Sequence, residues 1–232
     1  MKYRSFLCSF VLVLFLVLSS CSKSNNNSDP GSAQLMVANL IVGTTGIDVT
    51  VNGKKLNDAA VTFTNSSGYK STTAGRGTIT IYQANTSNVV LSKEVDFVNG
   101  KNYSLLLYDV YTNTKSAFVE DDIITGTPGK SYIRFFNLVS SSTPVKAGTV
   151  TVAGFTPIFV NRSYETEATA QANDGYTAIS AGTYGLFSVQ SSTRNYAKAD
   201  ITFEEGKVYT VVYYTYLTGP PLADALQIYI NK

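Results

Sequence analysis

The sequence predicts an all-β protein built from two β-sandwich domains of immunoglobulin-like type in tandem. Three observations predict it. Short segments alternate branched apolar residues with polar ones, as half-buried strands do. Turn signals built on Gly, Asn and Asp recur between them at the spacing of sandwich strands. One ordered set of motifs occurs twice along the 232-residue chain.

The N-terminus stands apart from this pattern. Lys2 and Arg4 precede an apolar run from Phe6 to Leu18, and Leu18, Ser19 and Ser20 lead into Cys21. The run is too short for a stable membrane span, and the small residues before Cys21 suit a peptidase. Residues 1–20 therefore read as a lipoprotein signal peptide. An ordinary secretory signal and an uncleaved anchor are the alternatives, and the Leu-Ser-Ser-Cys ending favours lipidation. Cys21 would become the acylated, palmitate-bearing N-terminus, holding the mature chain on a membrane through its acyl chains. Ser22 stands where Asp would be the usual inner-membrane retention cue in Gram-negative lipoproteins, which favours the outer membrane and leaves its face open. Residues 21–33 are rich in Ser and Asn, with Lys, Asp, Pro and Gly among them, and read as a flexible tether with a reach of roughly 20 Å.

The remainder divides at Gly126 to Lys130 into residues 34–126 and 127–232. Ala38, Asn39, Leu40 is echoed by Phe136, Asn137, Leu138, and Val49 to Gly53 by Val150 to Gly154. Gly68, Tyr69, Ala74 and Gly75 return as Gly175, Tyr176, Ala181 and Gly182. Phe97, Gly100, Lys101 and Tyr103 return as Phe203, Gly206, Lys207 and Tyr209. Ile47 to Val51 and Thr78 to Tyr82 alternate as half-buried strands. Tyr103 to Val110 and Tyr209 to Leu217 are nearly continuous apolar runs, which suits central strands covered on both faces. Asn99-Gly100 and Glu205-Gly206 read as tight hairpin turns between such strands. No useful length of helical periodicity is present.

Composition excludes several function classes. Removing residues 1–20 takes away two basic residues and no acid, so 18 basic against 16 acidic becomes 16 against 16. A charge-balanced chain lacks the basic footprint of a nucleic-acid binder. There is no histidine, and the only cysteines are Cys8 in the signal and Cys21, so imidazole-based triads, zinc sites and internal disulfides are excluded. The sequence calls for no cofactor, no metal and no catalytic residue.

The apolar run into Asn-Leu, the strand ending in Val-Asn-Gly at Val51 to Gly53, the Ala-Gly turns and the Gly-Lys-x-Tyr motif together resemble the DUF4397 family. Arg134 to Leu138, Tyr176 to Tyr184 and Phe203 to Tyr209 carry the likeness best. It extends over nearly all of residues 34–232. The Ser-Pro-Asp-Ala that usually follows Asn-Leu is missing from both copies, and Gly77 replaces the aromatic that the second copy has at Tyr184. The resemblance implies bacterial secreted proteins and lipoproteins, often with tandem domains, and no defined activity.

Candidate sites are few. Of the 16 tyrosines, Tyr209, Tyr213, Tyr214 and Tyr216 crowd one strand, with Tyr209 and Tyr213 on one face and Tyr214 and Tyr216 on the other. They read as core, with sugar stacking as the less favoured use. Glu120, Asp121 and Asp122 read as a solvated charged linker rather than a calcium loop. Lys54 and Lys55 read as an exposed loop. The expected function is a non-enzymatic binding or adhesion module of the outer membrane, with the membrane as partner through Cys21 and a glycan or a protein as ligand. A structural scaffold or accessory subunit of an envelope complex is the alternative, and a carboxylate-based glycan hydrolase is a weaker one.

Overall fold

The computed structural model describes residues 30–124, 126–140, 142–192, 195–216 and 223–231. The signal segment, Cys21 and most of the tether lie outside these residues. The first repeat forms β1 (Ser32–Val42), β2 (Ile47–Val51), β3 (Lys54–Lys55), β4 (Lys70–Thr73), β5 (Gly75–Gln83), β6 (Val89–Phe97), β7 (Asn102–Val110) and β8 (Lys115–Glu120). The second forms β9 (Lys130–Asn137), β10 (Val145–Thr151), β11 (Gly154–Arg162), helix α1 (Glu167–Ala172), β12 (Thr177–Ser180), β13 (Gly182–Gln190), β14 (Asn195–Phe203), β15 (Val208–Tyr216) and β16 (Ala223–Ile230).

Each repeat folds into two four-stranded sheets. In the first, β3-β2-β5-β6 forms an outer sheet and β4-β1-β7-β8 an inner one; in the second, β11-β10-β13-β14 is outer and β12-β9-β15-β16 inner. The central inner strands run parallel, β1 beside β7 and β9 beside β15. Alternation explains the outer sheet: Ile47, Val49 and Val51 of β2 point inward, with Asp48 and Thr50 between them more exposed. The inner strands are apolar on both faces. Leu35, Val37, Leu105 and Leu107 enter the first sandwich core, while Met36, Ala38, Leu40 and Leu106 enter a third core. That third core also takes Phe136, Leu138, Val212 and Tyr214 from the second repeat, so the two inner sheets pack together and the molecule is a stack of four β layers.

The tyrosines follow the predicted alternation: Tyr209 and Tyr213 join the second sandwich core, and Tyr214 and Tyr216 the core between the sandwiches. One expectation is corrected. Asn99-Gly100 and Glu205-Gly206 do not close hairpins, because β6 and β7, like β14 and β15, belong to different sheets. The turns carry the chain across each sandwich. Lys101 N–H donates to the Val98 carbonyl at 3.1 Å and Lys207 N–H to that of Glu204 at 3.2 Å, and the intervening glycines have φ of +78° and +73°. The repeated tyrosine anchors the crossing. Tyr103 hydroxyl accepts Val98 N–H at 3.1 Å, and Tyr209 hydroxyl accepts Glu204 N–H at 2.9 Å. This is the device of the tyrosine corner in immunoglobulin-type sandwiches. A short helix, α1, was also not expected. Six residues are too few for periodicity to register, and its capping box pairs Thr166 with Thr169 rather than with an acid.

Gly206→Val is expected to destabilise the protein by about 1–3 kcal/mol, because a β-branched residue is strained at positive φ. Thermal unfolding of the variant checks this. An unchanged Tm would contradict the turn geometry.

Candidate functional site

Two features join the repeats: a buried polar centre between the inner sheets, and a groove where their seam opens to solvent. The polar centre is built from equivalent positions of the two repeats. Tyr69, Ser104 and Asp121 come from the first, and Tyr176, Thr210 and Asn231 from the second. Asp121 and Asn231 are equivalent because each N–H closes the last strand onto the start of its neighbour, at the Asn102 and Val208 carbonyls, both at 2.7 Å. Met36 and Arg134 are likewise equivalent, paired across the parallel strands with Ser104 and Thr210. The repeats differ here in charge: the first supplies Asp121 where the second has Asn231, and the second supplies Arg134 where the first has Met36.

Arg134 and Asp121 form an ion pair in which both side chains are fully buried. Arg134 Nε donates to Thr210 Oγ1 at 2.9 Å, and Nη1 donates to the Glu120 carbonyl at 3.1 Å. Its guanidinium lies 4.7 Å from the Tyr176 ring centroid and 5.2 Å from that of Phe136. Asp121 Oδ2 accepts from Tyr69 hydroxyl at 2.5 Å and Ser104 Oγ at 2.7 Å. Asn231 closes the network, donating to Tyr69 hydroxyl at 2.9 Å and accepting from Thr210 Oγ1 at 2.7 Å. Burial, reinforced by the Asp121 charge, pushes the Tyr69 phenol far above its ordinary range. Burial also raises that of Tyr176, with Arg134 opposing and Asp121 adding.

This corrects the reading of Glu120, Asp121 and Asp122 as a solvated linker. The extended chain does send neighbours to opposite sides: Asp122 is exposed and Glu120 holds Lys101 at 2.6 Å on the surface. Asp121 points inward, where Arg134 compensates the cost of burying its charge. The signal that could have found the pair is Arg134 itself, a lone charge inside the apolar run Tyr132 to Phe136.

The seam groove has a volume of about 390 Å³. Leu91 and Lys93 of β6, Tyr108 of β7 and Lys115 of β8 face Tyr164 and Glu167 of the second repeat across it. Tyr108 and Tyr164 meet edge to face at 5.9 Å. Tyr164 hydroxyl donates to Asp109 Oδ2 at 3.1 Å, and Asp109 has a φ of +74°. Burial raises the phenols of both tyrosines, with Glu167 the leading charge at Tyr108 and Asp109 at Tyr164. Helix α1 closes the open edge of β8. Glu167 Oε2 accepts Phe118 N–H at 3.2 Å, and Gln171 Nε2 donates to the Phe118 carbonyl at 3.3 Å. Lys93 holds Glu167 Oε1 at 3.1 Å.

Glu165, which also lines the groove, is buried. Its Oε1 accepts from Arg162 at 2.8 Å, and Asn173 Nδ2 lies 3.4 and 3.3 Å from Oε1 and Oε2. Every oxygen of Glu165 and Glu167 thus already has a donor. Such a pair suits a fixed wall of a binding groove better than an acid and base exchanging protons. Among the described residues, no group of His, Cys, Asp and Glu could hold a metal, and no helix is long and apolar enough to cross a membrane. No described aromatic side chain is among the exposed large hydrophobics. Lys54 and Lys55 are exposed, as expected, but form β3 against β2 rather than a loop.

The family described as a domain of unknown function, DUF4397, matches residues 33–153, more than half of the chain. The chain belongs to this family. In the DUF4397 match lie the Tyr103 crossing and both partners of the buried ion pair. A comparison with curated proteins finds no match. Among solved structures, a candidate cell adhesion protein from Parabacteroides distasonis is 7% identical, over 86% of this chain and 99% of its own, with a TM-score of 0.24. A fimbrial assembly protein from the same species is 10% identical, over 87% and 98%, with a TM-score of 0.22. A candidate cell adhesion protein from Bacteroides eggerthii is 7% identical, over 87% and 96%, with a TM-score of 0.23. Superpositions at this level establish neither a shared fold nor a shared role. None of the comparisons names an enzyme family.

Asp121→Asn is expected to cost about 3–5 kcal/mol, because it leaves Arg134 buried without its counter-charge. Adding Arg134→Met, the residue found at the equivalent position 36, should recover most of that loss in a double-mutant cycle of chemical denaturation. The phenols of Tyr69, Tyr108, Tyr164, Tyr176 and Tyr229 are all raised above the ordinary value of 10.0, so the folded state keeps protons that the unfolded chain gives up. The stability they contribute is complete below pH 10 and is lost as pH climbs above it. In an alkaline titration the tyrosinate absorbance of these five should therefore rise together with unfolding, after that of Tyr132, whose phenol is lowered by its hydrogen bonds to Thr127.

Proposed function

We propose that the protein is a non-enzymatic binding module of the cell envelope, held on the outer membrane by acylated Cys21. Residues 34–126 and 127–232 act as two domains locked into one body, and the seam groove is the contact site for a glycan or protein ligand. The groove carries this reading. It exists only where both repeats meet, it offers the half-buried Tyr164 ring, backed by the buried Tyr108, with Lys93 and Lys115 at its rim, and its carboxylates are committed to fixed donors. Mostly apolar pockets with a few placed polar groups are the usual form of a ligand site.

The scaffold or accessory-subunit reading has one observation in its favour. Edge strand β11 exposes Val160, and Val152 at the β10–β11 turn is also exposed, which suits a protein partner.

Beads carrying the purified protein should adhere to immobilised polysaccharides or to intact cells of the same strain, and Tyr164→Ala with Lys115→Glu should reduce adhesion about tenfold or more, as loss of a central contact does. Adhesion equal to that of bare beads on every surface would refute the binding reading. Cys21→Ser should move the protein from the membrane to the soluble fraction, and retention of the variant would refute the tether. Protease digestion of intact against lysed cells then distinguishes the surface from the periplasmic face.

A further inference from the structure

A second cleft lies on the opposite edge of the first sandwich, open and about 550 Å³ in volume, between edge strands β3 and β4. Lys54 and Lys55 line one side and Lys70 the other, with Asn52, Ser71 and Thr73 between them. No carboxylate among the described residues lines it. Lys54 has no ion-pair partner among the described residues. Lys55 holds Asp48 at 3.0 Å, and Lys70 holds Asp58 at 2.6 Å. Asp58 is largely exposed, and its pair with Lys70 is weak enough to be exchanged for another anion, while Asp48, mostly buried, keeps Asn57 Nδ2 and Asn85 N–H as donors when Lys55 turns away. Three ammonium groups with hydroxyl and amide donors beside them suit the oxygens of a phosphate.

Position supplies the second observation. Gly31 and Ser32 themselves line the cleft, so the chain enters its fold there. Ten residues along the chain separate Cys21 from Gly31, so the cleft lies at most about 35 Å from the acylation site. The seam groove lies across the inner sheet at its other edge strand, β8, and further along the strands, roughly 15 Å across and roughly 20 Å along.

We propose that the cleft of Lys54, Lys55 and Lys70 docks on the phosphates of anionic lipid headgroups in the membrane to which the chain is tethered. The docking rests on the reading of Cys21 as the acylation site. It seats the four-layer stack with the cleft toward the bilayer and the seam groove turned away from it. The affinity required is modest, because the tether keeps the cleft at high effective concentration near the surface. Basic side chains near an anionic surface are attracted over about a Debye length, and the attraction weakens with salt.

The test uses the mature chain, residues 21–232, with Cys21→Ser, which carries neither the apolar signal nor an acyl chain, so that neither can supply the binding. Co-sedimentation with vesicles containing phosphatidylglycerol should exceed that with phosphatidylcholine alone by about tenfold or more at low ionic strength. Lys54→Glu, Lys55→Glu and Lys70→Glu together should bring it down to the phosphatidylcholine level with Tm unchanged. Lys130→Glu, Lys146→Glu and Lys207→Glu, an equal change of charge elsewhere, should leave most of the binding. Equal binding to both vesicles, equal loss in both triple variants, or displacement by millimolar inorganic phosphate would overturn the proposal. Displacement by phosphate would assign the cleft to the free anion instead. Fractionation of the acylated protein tests the tether separately, so failure of the docking and failure of the anchor are told apart.

Discussion

The ion pair between Arg134 and Asp121 is the constraint on which the rest of the molecule depends. Two charges taken wholly out of water are costly, and their attraction offsets that cost only when the remaining hydrogen-bonding capacity is also met. Here it is met by groups from both repeats. Tyr69 and Ser104 reach Asp121, Thr210 reaches Arg134, and Asn231 joins the two sides. Sliding one inner sheet over the other by one residue would unpair several of these groups at once. Apolar contacts around the centre supply area without direction; the polar centre selects a single arrangement.

Burial on both faces of the inner sheets follows from that arrangement. Strands β1, β7, β9 and β15 are largely apolar on both faces because each face meets a different core. The edge of the first inner sheet is handled by the second repeat. Glu167 and Gln171 on α1 supply the acceptor and donor that a further strand beside β8 would have supplied. Tyr229 on β16 likewise reaches the first repeat, donating to the Thr64 carbonyl at 3.0 Å. The first sandwich is thereby completed by segments of the second, and the seam groove is what remains open between them.

Much of this was legible in the sequence because it is local. Alternation marks β2, continuous apolar runs mark β7 and β15, and the twofold recurrence of Gly-Lys-x-Tyr marks a turn into each of the latter two. What was not legible depends on partners distant along the chain. Asp121 looks like one of three solvated acids until Tyr69 and Ser104, well before it, and Arg134, after it, are brought around it. The Asn99-Gly100 turn has the residues of a hairpin, and only the pairing of β7 with β1 shows that it crosses between sheets. The groove draws on β6, β7, β8 and the segment before α1, so no contiguous motif announces it.

The unequal charge at equivalent positions also bears on the state of association. An inner face of the first repeat presents Asp121 and Met36, and one of the second presents Arg134 and Asn231. If two molecules exchanged halves so that like met like, one junction would bury two carboxylates with no guanidinium and the other two guanidiniums with no carboxylate. Both are far more costly than the native junction. A duplicated surface is thereby restricted to pairing a first repeat with a second, by the same two side chains that hold the halves together.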